Sequence, residues 1–303
     1  MPSFSHSFFA MGSDCTAHFS ADSFVEFETL ALAAEGEVVR IERRYSRYRA
    51  DSELSRINAV AARGGSVDVD AETAALMEYA KACYTKSGGV FDITSGVLRA
   101  VWDFSRACLP GQDAVEALLP RIGLDKVAVS DGRLHFAEAG MELDFGGLAK
   151  EYAADRAAEV CASAGARHGF VDLAGDIRIV GPRPDGAPWM IGIRHPRDAQ
   201  IVVSKVAMSM GGLATSGDYE RFIEIDGRRY CHLLDPRTGW PVRGLSSVTV
   251  ISDRCLVAGS LSTIAMLKGR QGVEWLHQLG IRHFAVTADG ECHGTEECLK
   301  RCS

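Results

Sequence analysis

Three stretches with an Asp-Gly pair between apolar runs constrain this chain most. KVAVSDGRLHF, FIEIDGRRYCHLLD and HFAVTADGECHG each read as a strand, a tight turn and a return strand. Such hairpins are antiparallel, because a two-residue turn reverses the chain and cannot carry it across a sheet. Helical patterns lie between them. FVEFETLALAAEGEVVRIERRYS, 24–46, has helical apolar spacing, and the helix after Asp70 starts on an aspartate cap and stops at Gly88–Gly89. Further helices are predicted at 113–122, from the Gly146–Gly147 pair to Gly165, at 254–269 and at 271–279. Strands are predicted at 7–19, at MELDFGG (141–147), and at 169–180, 189–195, 201–210 and 246–252. Hairpins and helices without a regular βαβ alternation predict an α+β fold.

The 303 residues suit one large domain or two tightly joined ones, and 47% hydrophobic residues supply a core. A net charge of −7 with no basic block argues against nucleic acid as a partner. No apolar run is long enough for a membrane span, and the N-terminal stretch is too polar for a signal peptide, so a cytoplasmic setting is expected. Most of the nine cysteines sit singly in apolar segments, as Cys83, Cys161 and Cys255 do, and read as buried reduced thiols. The tail ECHGTEECLKRCS is denser, with Cys292, His293, Cys298 and Cys302. It lacks the tight ligand pairs of zinc sites and reads as an ordinary tail.

Four stretches mix glycine with polar side chains beside regular structure. In ELDFGGLAKEYAAD a strand is expected to end at Gly146–Gly147 and a helix to begin. Its free N–H groups and Lys150 could meet an anion, or the stretch is a plain turn. GGLATSGDYERF offers Thr215 and Ser216 to a phosphate, or simply turns into a strand. HLLDPRTGWPV contains His232 and Asp235, an acid/base pair in one reading and a satisfied Asp-Pro turn in the commoner one. SGGVFDITSGVL places Asp92 among apolar residues, where it needs a partner. A fifth stretch, DRCLVAGSLSTIAMLKG, carries Ser260, Ser262 and Thr263 with no carboxylate between Asp253 and Gly269. It is either a ligand helix or a tightly packed one. There is no GxSxG elbow, no HExxH and no GxGxxG after a strand.

In this order these stretches, together with AMGS near the start, YSRYRADSELSRIN at 45–58 and VDLAGDIRIVG, resemble the FAD:protein FMN transferase family, also called ApbE. The resemblance runs from about Met11 to Gly269 and leaves the Cys-rich tail, 290–303, outside it. It implies an α+β, T-fold-like single large domain over 1–303, with mixed and antiparallel sheets, hairpins and flanking helices around an FAD cleft. It also implies an activity: Mg²⁺-assisted cleavage of FAD and transfer of FMN to a threonine of a target flavoprotein, with release of AMP. Carried over residue by residue, Met11, Tyr48, Val90, Phe91, Asp92, Asp144, Lys150 and Leu233 match FAD-contacting positions. The Gly147 carbonyl, Ser262 and Thr263 match the metal-binding positions. The resemblance assigns no catalytic side chain.

Three departures stand out. Ala258-Gly259-Ser260-Leu261-Ser262-Thr263 fits the frame of the family's metal helix, but Gly259 falls where the family has its Mg²⁺-ligating aspartate. The family's usual Lys-Gly is Lys150-Glu151 here, and its Gly-Gly-Asp is Ala174-Gly175-Asp176. Losing an anionic oxygen weakens a Mg²⁺ site. Two readings follow: an FMN transferase, and a non-catalytic FAD carrier or sensor whose metal site has decayed.

Overall fold

The computed structural model describes residues 1–299. Eight strands form one sheet in which spatial order follows chain order: Ser3–Ala10, Ser13–Ser20, Gly169–Leu173, Asp176–Gly181, Gly212–Gly217, Leu245–Ser252, Arg282–Thr287 and Cys292–Gly294. Each neighbouring pair is antiparallel, so the sheet is a meander interrupted by excursions. The longest, between Ser20 and Gly169, carries the helices Phe24–Tyr45, Glu53–Ala61, Ala71–Ser87 and Ala149–Ser163. It also carries a small sheet of Gly65–Asp68, Arg133–Phe136 and Val127–Ser130. Two later excursions are the hairpins Trp189–His195 with Asp198–Met208, and Phe222–Ile225 with Arg228–Cys231.

Both faces of the sheet are covered. The helices Phe24–Tyr45, Ala149–Ser163 and Cys255–Leu267 lie on one face, over Val171, Leu173, Ala214, Val248 and Val250. On the other, Ile191, Ile193, Val206 and Met208 of the long hairpin cover Ile177, Ile179, Leu213 and Ile251, and Cys298 joins them. The strand Leu245–Ser252 is therefore buried at seven of its eight positions, the continuous pattern of a strand covered on both sides. A third cluster joins Leu98, Trp102, Val115 and Leu118 to Ile223 and Tyr230, and the Trp102 indole donates to the Gly239 carbonyl at 2.8 Å.

The three Asp-Gly stretches form hairpins. Asp131–Gly132 and Asp226–Gly227 have both residues in the left-handed region, which suits the right-handed twist of the flanking strands. The third turn is longer, with Gly290 left-handed and the Thr287 hydroxyl donating to Asp289 at 2.5 Å. Four predicted elements differ. The strand expected over 7–19 is two strands joined at Met11–Gly12, both with positive φ. A methionine is an unusual residue to reverse a chain, and here its N–H is held by the Glu42 carboxylate at 2.8 Å. The strand expected over 169–180 likewise folds back at Ala174–Gly175. MELDFGG joins no sheet: Leu143 instead exchanges two hydrogen bonds with the Asn58 amide, at 2.8 and 2.9 Å, and the Asp144 N–H goes to the Ile93 carbonyl. The helix expected over 113–122 is a short helix, Gln112–Glu116, and a separate turn, Leu119–Arg121, because Pro120 lacks the N–H that would continue it. In the tail, Cys292 and His293 lie on the edge strand and Cys298 is buried, whereas Cys302 falls outside the described residues.

The helix Cys255–Leu267 has no side-chain cap of its own. Its first N–H groups are met from another helix. The buried Asp155 carboxylate accepts from Cys255 N at 2.9 Å and from Leu256 N at 3.0 Å. This pins two helices at one rung. Asp155→Ala leaves both N–H groups without a partner in the core and is expected to cost about 2–3 kcal/mol. Urea unfolding should show a lower midpoint at unchanged slope, with Asp155→Asn in between. An unshifted midpoint would show that the cap does not dock the helices.

Candidate functional site

Strand register brings the ligand-type stretches to one end of the sheet. Cys15 pairs with Leu173, Leu173 with Asp176, and Leu213 with Ile177, and the Thr215 N–H points to the Asp176 carboxylate. The Met11–Gly12 turn, the Ala174–Gly175 turn and Thr215–Gly217 therefore lie at the same end. The start of the helix Ala149–Ser163 comes to that end as well, through the Lys150–Asp176 ion pair at 2.8 Å.

Around Asp176 lies a buried charge cluster. Two carboxyl groups, Asp176 and Glu151, are buried beside a single ammonium, Lys150. Burial pushes Lys150 down, but Asp176 and Glu151 outweigh it and hold the ammonium above its ordinary range. Burial pushes Asp176 up, and Lys150 offsets part of this. Glu151 is driven up further, to about 8, first by burial and then by the Asp176 charge. One lysine neutralises one of the two acids. The second negative charge needs a proton or another cation.

Glu151 lies against the helix Cys255–Leu267 at Gly259. A Cβ built on Gly259 would come within 2.4 Å of the Glu151 Cγ and 2.6 Å of its Oε1. The Glu151 Oε2 is buried and has no hydrogen-bond partner. One turn further along the helix, Thr263 and Ser262 both meet the Ser216 hydroxyl, at 2.9 and 2.8 Å. Ser262 also donates to the Gly259 carbonyl at 2.9 Å, which leaves Thr263 with the freer oxygen. Ser260 turns away and bonds to Tyr79 and to the Leu256 carbonyl. Among the described residues no hydrogen bond ends on the Gly147 carbonyl, and Phe91 packs against that glycine.

A second group forms a rim. The Arg47 guanidinium is ion-paired with Asp144 and donates to the Tyr48 hydroxyl at 2.9 Å. Arg221, from the far excursion, donates to the same hydroxyl at 2.9 Å. Burial pushes the Tyr48 hydroxyl up, yet these two arginines outweigh it and hold it below its ordinary value. The Tyr48 ring is 71% exposed, an open aromatic face between two cations. Asp144 also accepts from Gly146 N at 2.8 Å, which shapes the glycine turn. Next to this rim, His232 Nδ1 lies 3.2 Å from the Arg221 carbonyl, and burial holds the imidazole below its ordinary value. His232 does not meet Asp235, which instead pairs with Arg237 and accepts its N–H, the turn role of an Asp-Pro pair. Leu233 packs against the main core, and its carbonyl accepts from Val242 N at 2.9 Å.

Asp92 points inward. Its carboxylate accepts from the Thr94 N–H and hydroxyl, at 2.8 and 2.6 Å, and from Leu124 N at 3.2 Å. Val90 and Phe91 are buried beside it. This stretch therefore turns its side chains inward, with the Phe91 ring packed near Gly147. Sequence reasoning marked Ser216 as a possible phosphate donor but did not single out Arg47, Arg221 or Asp176 as site residues. Arg47 sits beside Tyr48 in SRYR, and Asp176 lies in a quoted motif, but only the fold shows which charges they face.

Carboxylate, hydroxyl and carbonyl oxygens, of the kinds that Glu151, Thr263 and Gly147 carry, are donors a hard divalent cation accepts. Among the described residues no three His, Cys, Asp or Glu side chains gather at one point. A metal here would have fewer than three such side chains and would depend as well on neutral oxygens and on a ligand's phosphates, as Mg²⁺ commonly does.

Comparison with known proteins fits this geometry. The sequence signature of the ApbE family matches residues 11–292. The FAD:protein FMN transferase of Treponema pallidum is 35% identical over 261 residues, which cover 80% of this chain and 70% of that protein. That of Vibrio cholerae is 29% identical over 272 residues, 87% and 81% of the two chains. The solved ApbE protein of Thermotoga maritima superposes with a TM-score of 0.90 at 32% identity, over 97% of each chain. The apo flavinyl transferase ApbE of Pseudomonas stutzeri gives 0.85 at 30%, over 98% of this chain and 95% of its own. Signature, relatives and fold agree over most of the length, and the chain belongs to the ApbE family.

Proposed function

We propose that this chain is an FAD:protein FMN transferase built as a single FAD-binding domain. A threonine hydroxyl of a target flavoprotein attacks the phosphorus on the FMN side of the FAD pyrophosphate. The bond from that phosphorus to the bridging oxygen breaks, and AMP leaves with the oxygen. The observation that carries this reading is the meeting of the Lys150–Asp176–Glu151 cluster with the Ser216–Ser262–Thr263 hydroxyls at one end of the sheet.

Tyr48 gives a flat ring a stacking face, and Arg47 and Arg221 bring positive charge to the phosphates. The uncapped start of the helix Ala149–Ser163 adds to this anion-attracting field, and Lys150, its charge balanced by Asp176, offers ammonium N–H donors beside it. Phe91, Met11 and Leu233 supply apolar contact. Asp144 and Asp92 act on the ligand indirectly, by fixing Arg47 and the 90–95 turn. Mg²⁺, when bound by Thr263 and the Gly147 carbonyl, would neutralise charge on the pyrophosphate. The acceptor hydroxyl must lose a proton. His232 is suited to take it: its Nδ1 faces a carbonyl and so carries the proton, and burial keeps the ring neutral with Nε2 free. Buried thiols such as Cys83, Cys161 and Cys255 favour the reducing cytoplasm as the setting. Among the described residues, no helix is long and apolar enough to cross a membrane.

The carrier reading rested on a metal helix without its aspartate. The transferase names of the relatives and the unpartnered carboxylate against Gly259 favour transfer instead.

Incubating the protein with FAD, Mg²⁺ and a target flavoprotein should yield FMN-modified target by mass spectrometry and AMP by chromatography, both abolished by EDTA. Neither product appearing would refute transfer. His232→Ala should lower kcat on the order of a hundred-fold while leaving FAD affinity within a few-fold. The wild-type rate should fall on acidification with a midpoint below the ordinary histidine value of 6.5, since only the neutral ring accepts a proton. That acid limb should be missing from the variant, and its persistence there would remove His232 from this role.

A further inference from the structure

We propose that Glu151 is the anionic ligand of the divalent-cation site, a carboxylate supplied from the helix Ala149–Ser163 in place of the side chain that Gly259 lacks. Two sequence departures that look independent occupy one place. The Glu151 side chain fills the space a residue 259 side chain would need, with Cγ, Cδ and Oε1 all within 2.7 Å of an idealised Cβ there. Glu151 in this rotamer and a side chain at 259 therefore compete for one space. A glycine after Lys150 would leave that space to an acid at 259, whereas the glutamate after Lys150 occupies it.

The carboxylate is not explained by packing alone. Glu151 is 7% exposed, and its Oε2 has no hydrogen-bond partner. A glutamate kept only to fill a notch would be replaced at lower cost by an apolar side chain of similar size. Lys150, the nearest cation, is already bonded to Asp176. Other oxygen donors follow Glu151 and Gly259 along the two chain segments. Asp155 meets Cys255, and one turn away Glu151 meets Gly259. Four residues further in the same directions come Thr263, on the helix, and Gly147, in the turn that precedes the helix Ala149–Ser163. Carboxylate, hydroxyl and carbonyl are the donors a Mg²⁺ or Mn²⁺ ion accepts while keeping water or phosphate oxygens in its remaining positions.

The proposal takes from the transferase reading only its choice of metal, and its test does not need turnover. Mn²⁺ titration of the full chain, followed by loss of the free-ion electron paramagnetic resonance signal, reads occupancy directly. Glu151→Gln should weaken Mn²⁺ on the order of ten-fold or more, and Glu151→Asp by less. Gly259→Asp alone should not tighten binding, because its side chain must compete for the Glu151 space. The double variant Glu151→Gly with Gly259→Asp should bind Mn²⁺ within a few-fold of wild type. Thermal unfolding in EDTA identifies any variant that fails to fold, and the double variant and Glu151→Asp then carry the test. Equal Mn²⁺ affinity in wild type and Glu151→Gln, or no stoichiometric site in wild type, would overturn the proposal. FAD binding, followed by flavin fluorescence without metal, is a separate measurement. Its failure would count against the transferase reading and leave the Mn²⁺ result standing.

Discussion

The site depends on one buried rung, where the Asp155 carboxylate receives the first N–H groups of the helix Cys255–Leu267. That contact sets the register of two helices that pack on the same face of the sheet. With register fixed, a four-residue step along each helix sets Glu151 against Gly259. The chemistry thus sits at the end of a packed helix pair and not on a free loop. Groups held this way keep their mutual distances better than loop residues do. The rim differs. Tyr48 and Arg221 come from two separate excursions and meet through hydrogen bonds to one exposed hydroxyl, an arrangement better able to adjust around a large ligand.

Charge explains why the sequence departures come as a pair. Lys150 and Asp176 are a buried ion pair, complete in itself. Adding Glu151 to that pair leaves one carboxyl group without a counter-charge. Burial and then the Asp176 charge push the Glu151 carboxyl above its ordinary range. A divalent cation beside it would supply the missing counter-charge. On this view Gly259 marks a carboxylate moved from one helix to its neighbour, and the helix that lost an acid keeps the hydroxyl beside it.

Much of the architecture was legible because local chemistry and fold agree. Asp-Gly turns between apolar runs can do little but reverse the chain, and Asp70 with Gly88 bounds its helix from both ends. Legibility failed where tertiary contacts did the work of local signals. Met11–Gly12 reverses a chain that reads as one strand, because Glu42, from a distant helix, secures the Met11 N–H. MELDFGG has a strand's composition, but Asn58 rather than a ladder meets its backbone. The candidate site divides in the same way. Tyr48, Asp144, Lys150 and Thr263 were marked in the sequence by their motifs, and the fold places each beside a charge or hydroxyl partner. Asp92 was marked as well, yet its oxygens turn inward to Thr94 and Leu124. Glu151 and Gly259 were each visible as a departure. That they are one feature is a fact of packing between two helices, which no single stretch of sequence contains.

The most direct measurement is the anomalous scattering of Mn²⁺ in crystals of this protein soaked with FAD. The account predicts a single peak beside Thr263, with a Glu151 carboxylate oxygen at about 2.1 Å and pyrophosphate oxygens completing the shell. A peak whose ligands omit Glu151, or FAD bound in the cleft with no metal near Thr263, would contradict it.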